Sequence, residues 1–166
     1  MYRKIDDFIS DWNNEKDFTL NIFSKITDEV KSHKENENIR TLERMAWHIT
    51  QTLTEMPFRA GLFETDVLDN QPIPSDFNEI IEIYKKQSDA LTKAIKRAWN
   101  DTELDDNIEI YGQQWKKNKM LSITVKHQIH HRGQMTVLMR LLNIVVPGTY
   151  GPAKEEWIKF GMEPHQ

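Results

Sequence analysis

The segment 125–135 reads VKHQIHHRGQM and places three histidines within five residues, at 127, 130 and 131. Imidazole is a nitrogen ligand for divalent metals and the one side chain whose ordinary pKa lies near neutrality, so such a cluster is a candidate for metal or proton chemistry. His127 and His131 stand four apart. On a helix that spacing presents two rings on one face, within reach of a single ion. One such pair also arises by chance, and the bland alternative is a solvated polar patch. A third ligand from another helix has to separate the two readings, and His48, in RTLERMAWHITQTL, is the candidate.

With His127 at zero and about 100° per residue, Met120 and Leu138 fall near +20°, Ile123 and Leu141 near −40°. His131 lands near +40°, His130 near −60° and Gln134 near −20°, while Arg132, Thr136 and Arg140 point to the other side. The wheel therefore predicts an inward stripe carrying histidines among apolar residues. Burying imidazoles and an amide without partners costs roughly a few kcal/mol each, so something must satisfy them. His48 sits about 100° from the centre of its own helix's apolar stripe. That is a flank position, equally open to a ligand or to a half-exposed surface histidine. His33 and His165 read as ordinary surface residues.

The elements that must position these groups are four amphipathic helices. Apolar residues at helical spacing predict the first from about Tyr2 to Lys34, with Ile5, Phe8, Trp12, Phe23, Ile26 and Val30 on one side. The second is predicted from Thr41 to Met56, stopping before Pro57. A turn-rich connection follows, with Ser75 as N-cap of a third helix from Asp76 to Trp99. The fourth runs from Lys119 to Leu142, short of Pro147 and Gly148. Between the third and fourth, Ile108, Ile110 and Trp115 around Gly112 predict a short hairpin or an ordered loop, and a short helix is expected near 153–160. The expected fold is all-α, an antiparallel-type four-helix bundle forming a single domain over 1–166.

Composition narrows the function. The chain has no cysteine, which removes disulfides, thiolate metal sites and a cysteine nucleophile together and leaves His, Asp and Glu as ligands. Net charge is −4 with acids and bases interleaved, so the basic footprint of direct nucleic-acid binding is missing. Acidic residues near the start argue against a signal peptide, and no run is apolar enough to span a membrane. A cytoplasmic protein is the expectation.

Taken together, the motif HQIHHRGQ (127–134), the isolated histidine of MAWHIT and the tail PGTYGPAKEEW (147–157) give the chain its likeness to a known group. Over essentially its whole length it resembles the DinB superfamily of four-helix-bundle proteins. The resemblance implies a divalent metal, zinc or nickel, held by His48, His127 and His131. It makes His131 rather than His130 the ligand, and His130 a neighbour. It further implies a homodimer, and relatives that transfer a low-molecular-weight thiol, such as bacillithiol or mycothiol, to an electrophile.

Three neutral imidazoles leave a coordination position open for water, a thiolate or a substrate oxygen. Around it Gln134 could accept from the free ring nitrogen of a ligand histidine or simply hydrogen-bond a neighbouring helix. Gly133 is expected to admit another backbone, and Arg132 to make a salt bridge or a contact with another helix in preference to a catalytic role. Trp47 points away from the core stripe, toward the mouth of the site, the first helix or a dimer contact. Tyr111, Trp115 and Tyr150 are possible pocket walls or packing plugs. A metal-dependent hydrolase is the alternative enzyme; it would want a carboxylate base, and Glu55, on the His48 side of the second helix but about two turns away, is not assigned that role. A non-catalytic metal or small-ligand-binding stress protein shares all the same ligands, and histidines that hold nothing complete the range.

Overall fold

The computed structural model describes residues 1–164, so His165 lies outside the described residues. Four helices, α1 (Ile5–Phe23), α2 (Leu42–Arg59), α3 (Phe77–Ala98) and α4 (Lys117–Leu141), enclose one core, and a hairpin of β1 (Asn107–Ile110) and β2 (Gln113–Lys116) precedes α4. A 3-10 helix, Lys154–Phe160, stands where the short C-terminal helix is expected.

In α1 the buried positions Ile5, Phe8, Trp12, Glu15, Thr19 and Ile22 alternate steps of three and four, which keeps them on one face. The helix ends eleven residues earlier than its periodicity predicts, at Phe23 instead of Lys34. The segment that follows is diverted by a tertiary task. Asp28 Oδ1 accepts the Phe77 N–H at 3.0 Å, satisfying an orphan donor in the first turn of α3, and Lys31 Nζ lies 2.6 Å from the same oxygen. Ile26 is still buried and Val30 packs on the core, but neither does so from a helix. The N-cap of α3 is Asp76, whose carboxylate accepts from Asn78 N at 2.8 Å, one residue beyond the predicted Ser75. In α2, Thr41 is the cap, and the helix passes through Pro57 to Arg59. Pro57 leaves the Leu53 carbonyl without its helical donor, and the helix continues only two residues beyond it.

Cross-contacts set the helix directions. Ile5 N donates to Asp101 Oδ1 beyond the end of α3, while Phe23 meets Phe77 at its beginning, so α1 and α3 are antiparallel. Thr124 reaches Met56 and Gln128 reaches the Ile49 carbonyl, so α2 and α4 are antiparallel too. The hairpin returns Asn118 N to the Leu104 carbonyl, which starts α4 at the end of the bundle where α1 starts. The sense is therefore up, down, down, up. Since α2 and α3 run the same way, the connection 60–76 must climb back along α2. It does so through Thr54 Oγ1 to Asp66 Oδ1 (2.6 Å), Gln51 Nε2 to the Leu68 carbonyl (3.2 Å) and Trp47 Nε1 to the Gln71 carbonyl (3.2 Å). Trp47 consequently lies 2% exposed under that strap, although it is opposite the apolar stripe of its own helix.

The hairpin turn has Tyr111 and Gly112 at φ of 53° and 69°, the paired left-handed backbone of a type I′ turn. Gly148 is needed for a different reason. A Cβ there would overlap the Glu156 carboxylate and the Gly151 carbonyl, which fold the tail onto itself. Among the described residues no helix is long and apolar enough to cross a membrane.

Candidate metal centre

The buried face of α4 is not centred on His127. Met120 and Leu138 are buried as predicted, but the face also takes in Thr124, Leu121, Val125, Gln128, Arg132, Met135 and Met139, so its centre is rotated by about 100° from the predicted stripe. Leu141, expected inward, is 55% exposed, and Arg132, expected outward, is 3% exposed. The inward polar groups are satisfied across the core. Gln128 accepts from the Tyr84 hydroxyl at 3.2 Å and donates to the Ile49 carbonyl at 3.3 Å. Arg132 pairs with Glu15 and donates to Thr19 Oγ1 at 3.1 Å. His127 and His131 thereby fall on the flank of the buried face, half-buried beside α2.

There they meet His48 from α2. Ring centroids are 4.9 Å apart for His48 and His127, 4.7 Å for His48 and His131, and 4.5 Å for His127 and His131. One nitrogen of each lies within 4.8 Å of the other two. This three-histidine group can hold a metal ion. Its donor set is nitrogen alone, which suits zinc, nickel, copper or iron and not calcium or magnesium. Burial and the neighbouring His131 push His48 down to about 4, and burial with His131 and His48 does the same for His127. His131 is also lowered, chiefly by burial. All three are therefore neutral at pH 7, as metal ligands must be.

The surroundings fit an ion. His127 Nδ1 is buried and has no hydrogen-bond partner among the described residues. Gln134 Oε1 lies 2.8 Å from His131 Nδ1. An amide oxygen only accepts, so Nδ1 carries the proton and the Nε2 lone pair is free for coordination. The amide nitrogen of Gln134 donates to His130 Nε2 at 3.2 Å, and His130 itself is exposed.

Two cavities flank the cluster. His131 and Gln134 line a groove of about 510 Å³ with Ile39, Arg40, Met45, Val137 and Leu138. His48 lines a polar cleft of about 250 Å³ with Gln51, Glu55, Asp66 and Asp69. Glu55 there is 3.8 Å from Arg59 and near the Tyr111 hydroxyl, whose pKa its charge helps to raise. The other loop aromatics sit elsewhere. Trp115 packs on Tyr111 and under Lys119. Tyr150 stacks edge-on against Phe18, its hydroxyl 2.6 Å from Arg132 Nη2 and 2.8 Å from Glu15. Gly133 admits no other backbone, since a Cβ there would meet nothing within 4 Å.

Arg132 makes the interhelical salt bridge expected of it, but its burial and its partner Glu15 are what sequence reading missed. Two charged residues 117 apart carry no periodic signal, and the only hint was that Glu15 continues the three-four spacing of α1.

The sequence profile of the DinB family matches residues 1–165. The chain belongs to the DinB family. Among its relatives, the Bacillus subtilis (strain 168) protein YrdA is 37% identical over 163 residues, 98% of each chain. A crystal structure of a DinB-like protein from Bacillus cereus ATCC 10987 superposes with a TM-score of 0.80 at 32% identity, covering 90% of this chain and 100% of the other. The DinB-like protein YjoA of Bacillus subtilis, at 17% identity and a TM-score of 0.70 over 89% of this chain and 99% of its own, shares the fold. The all-α DinB bundle with its small hairpin is thus the architecture anticipated from sequence.

Proposed function

We propose that this DinB-family protein is a metal-dependent transferase that joins a low-molecular-weight thiol to an electrophile, with zinc or nickel held by His48, His127 and His131. The carrying observation is the position of the three-histidine group between two cavities of opposite character, one largely apolar beside His131 and one polar beside His48. Two openings at one centre suit two substrates. When bound, the metal supplies a Lewis acid that lets a thiol ionise at neutral pH, so no protein base is required.

The chain's own residues do the rest. The rings of His48, His127 and His131 stay neutral, Gln134 fixes the tautomer of His131, and Gln51 with the carboxylates of the cleft offers hydrogen bonds to a polar thiol. The thiol must be a cosubstrate because the chain has no cysteine. A hydrolase is less well supported, since Glu55 is engaged by Arg59 and Tyr111 instead of standing free as a base. Homodimer formation and a cytoplasmic location belong to the same reading. Ile158 and Phe160, 78% and 67% exposed, supply apolar surface for the first. A reaction that consumes a reduced thiol suits the second.

The test begins with metal content of untagged protein beside His48→Ala and His131→Ala. About one zinc or nickel per chain, absent from both variants, is expected for a three-ligand site. Conjugation of a thiol such as bacillithiol to an aryl halide then follows the metal. A parent protein that takes up neither metal after incubation with both defeats the reading.

A further inference from the structure

The groove beside His131 has a chemical character of its own. Ile39, Met45, Val137 and Leu138 give it apolar walls, and none of the residues that line it is acidic. Its volume of about 510 Å³ lies inside the range, roughly 300–1,000 Å³, of small-molecule sites. Arg40 supplies the one full charge, and it makes no ion pair or hydrogen bond among the described residues. Arg40 and His131 line the same groove, which places the guanidinium beside the ligand cluster.

We propose that this groove binds a small apolar molecule bearing one carboxylate, its charge on Arg40 and its body against Ile39, Met45, Val137 and Leu138. A planar guanidinium matches a carboxylate with two parallel hydrogen bonds, and the apolar walls exclude water from the remainder. Recognition of this kind needs no metal. Only the naming of the molecule as the electrophile rests on the transferase reading; the binding itself does not. Held by Arg40 at the mouth, such a ligand has its apolar end directed along the wall that carries His131.

The experiment uses three probes of one shape, 4-phenylbutyrate, 4-phenylbutylamine and 4-phenylbutanol, titrated by calorimetry into zinc-incubated and chelator-treated protein. Arg40→Gln and Val137→Trp serve as variants; both positions are exposed, so the fold tolerates them. 4-Phenylbutyrate should bind about fivefold or more tighter than the amine in both metal states, the value of one exposed ion pair. Arg40→Gln should erase that preference and leave the alcohol unchanged, while Val137→Trp should weaken all three. A preference that survives Arg40→Gln, or vanishes when metal is removed, overturns the proposal, as does no binding by any probe. Zinc content is measured on the same samples, so a protein without metal that still prefers the carboxylate refutes the transferase and keeps the groove.

Discussion

Glu15 of α1 and Arg132 of α4 form an ion pair inside the bundle, each 3% exposed, and the guanidinium also donates to the Glu15 carbonyl at 3.0 Å. The Tyr150 hydroxyl joins the same pair from the chain beyond α4. One buried charge cluster therefore ties the two parallel helices and the C-terminal segment together, anchored on the residue next to His131 but about 100° around the same helix.

Removing one partner leaves the other charge buried and alone. Arg132→Ala should cost about 3–5 kcal/mol in urea unfolding, and Arg132→Met combined with Glu15→Leu should recover much of it. Zinc bound per folded chain should not change in either variant, because neither residue belongs to the ligand cluster. A loss below about 1 kcal/mol in the single variant would show that the pair is solvated.

Gln134→Ala removes the acceptor that fixes the His131 tautomer. Zinc affinity, read by competition with a chromophoric chelator, should fall about 10- to 100-fold, the usual consequence of losing such a group. Gln134→Glu keeps an acceptor and should retain the affinity. Equal affinity in Gln134→Ala would assign the amide to packing alone.

Acid should destabilise the metal-free protein before its carboxylates titrate. Folding lowers His48 and His127 from an ordinary 6.5 to about 4, and lowers His131 as well. Between those values the unfolded chain binds more protons than the folded one, so stability is present above pH 6.5 and is lost as pH falls toward 4. Glu155, held by Arg140 at about 2, adds its loss only below its ordinary 4.5. The melting temperature of chelator-treated protein should thus decline from pH 6.5 to 4.5, and His48→Gln with His127→Gln should flatten that slope. A flat profile in the parent chain would mean the rings are hydrated.

Gly133→Ala distinguishes an open helix surface from a contact. A Cβ at Gly133 meets nothing within 4 Å, and alanine is the better helix former by about 1 kcal/mol. Thermal unfolding should show a gain of up to that size. A loss instead would reveal a second chain packed on this part of α4.

Much of this molecule was legible in the residues alone. The four helices, the turn at Gly112, the short C-terminal helix and the grouping of His48, His127 and His131 all follow from local periodicity, turn chemistry and the family resemblance of one motif. Periodicity works where a helix buries apolar residues, because each of them is driven inward whatever it meets there. It fails for polar residues, whose burial depends on a partner. Arg132 and Gln128 face inward only because Glu15, Tyr84 and the Ile49 carbonyl wait on other helices. Likewise α1 ends early because Asp28 satisfies α3, and Trp47 is covered only because two parallel helices force the connection back along α2. Those long-range partners turned α4 by about a quarter of a revolution, leaving its histidines on the flank, half-buried and open to two cavities.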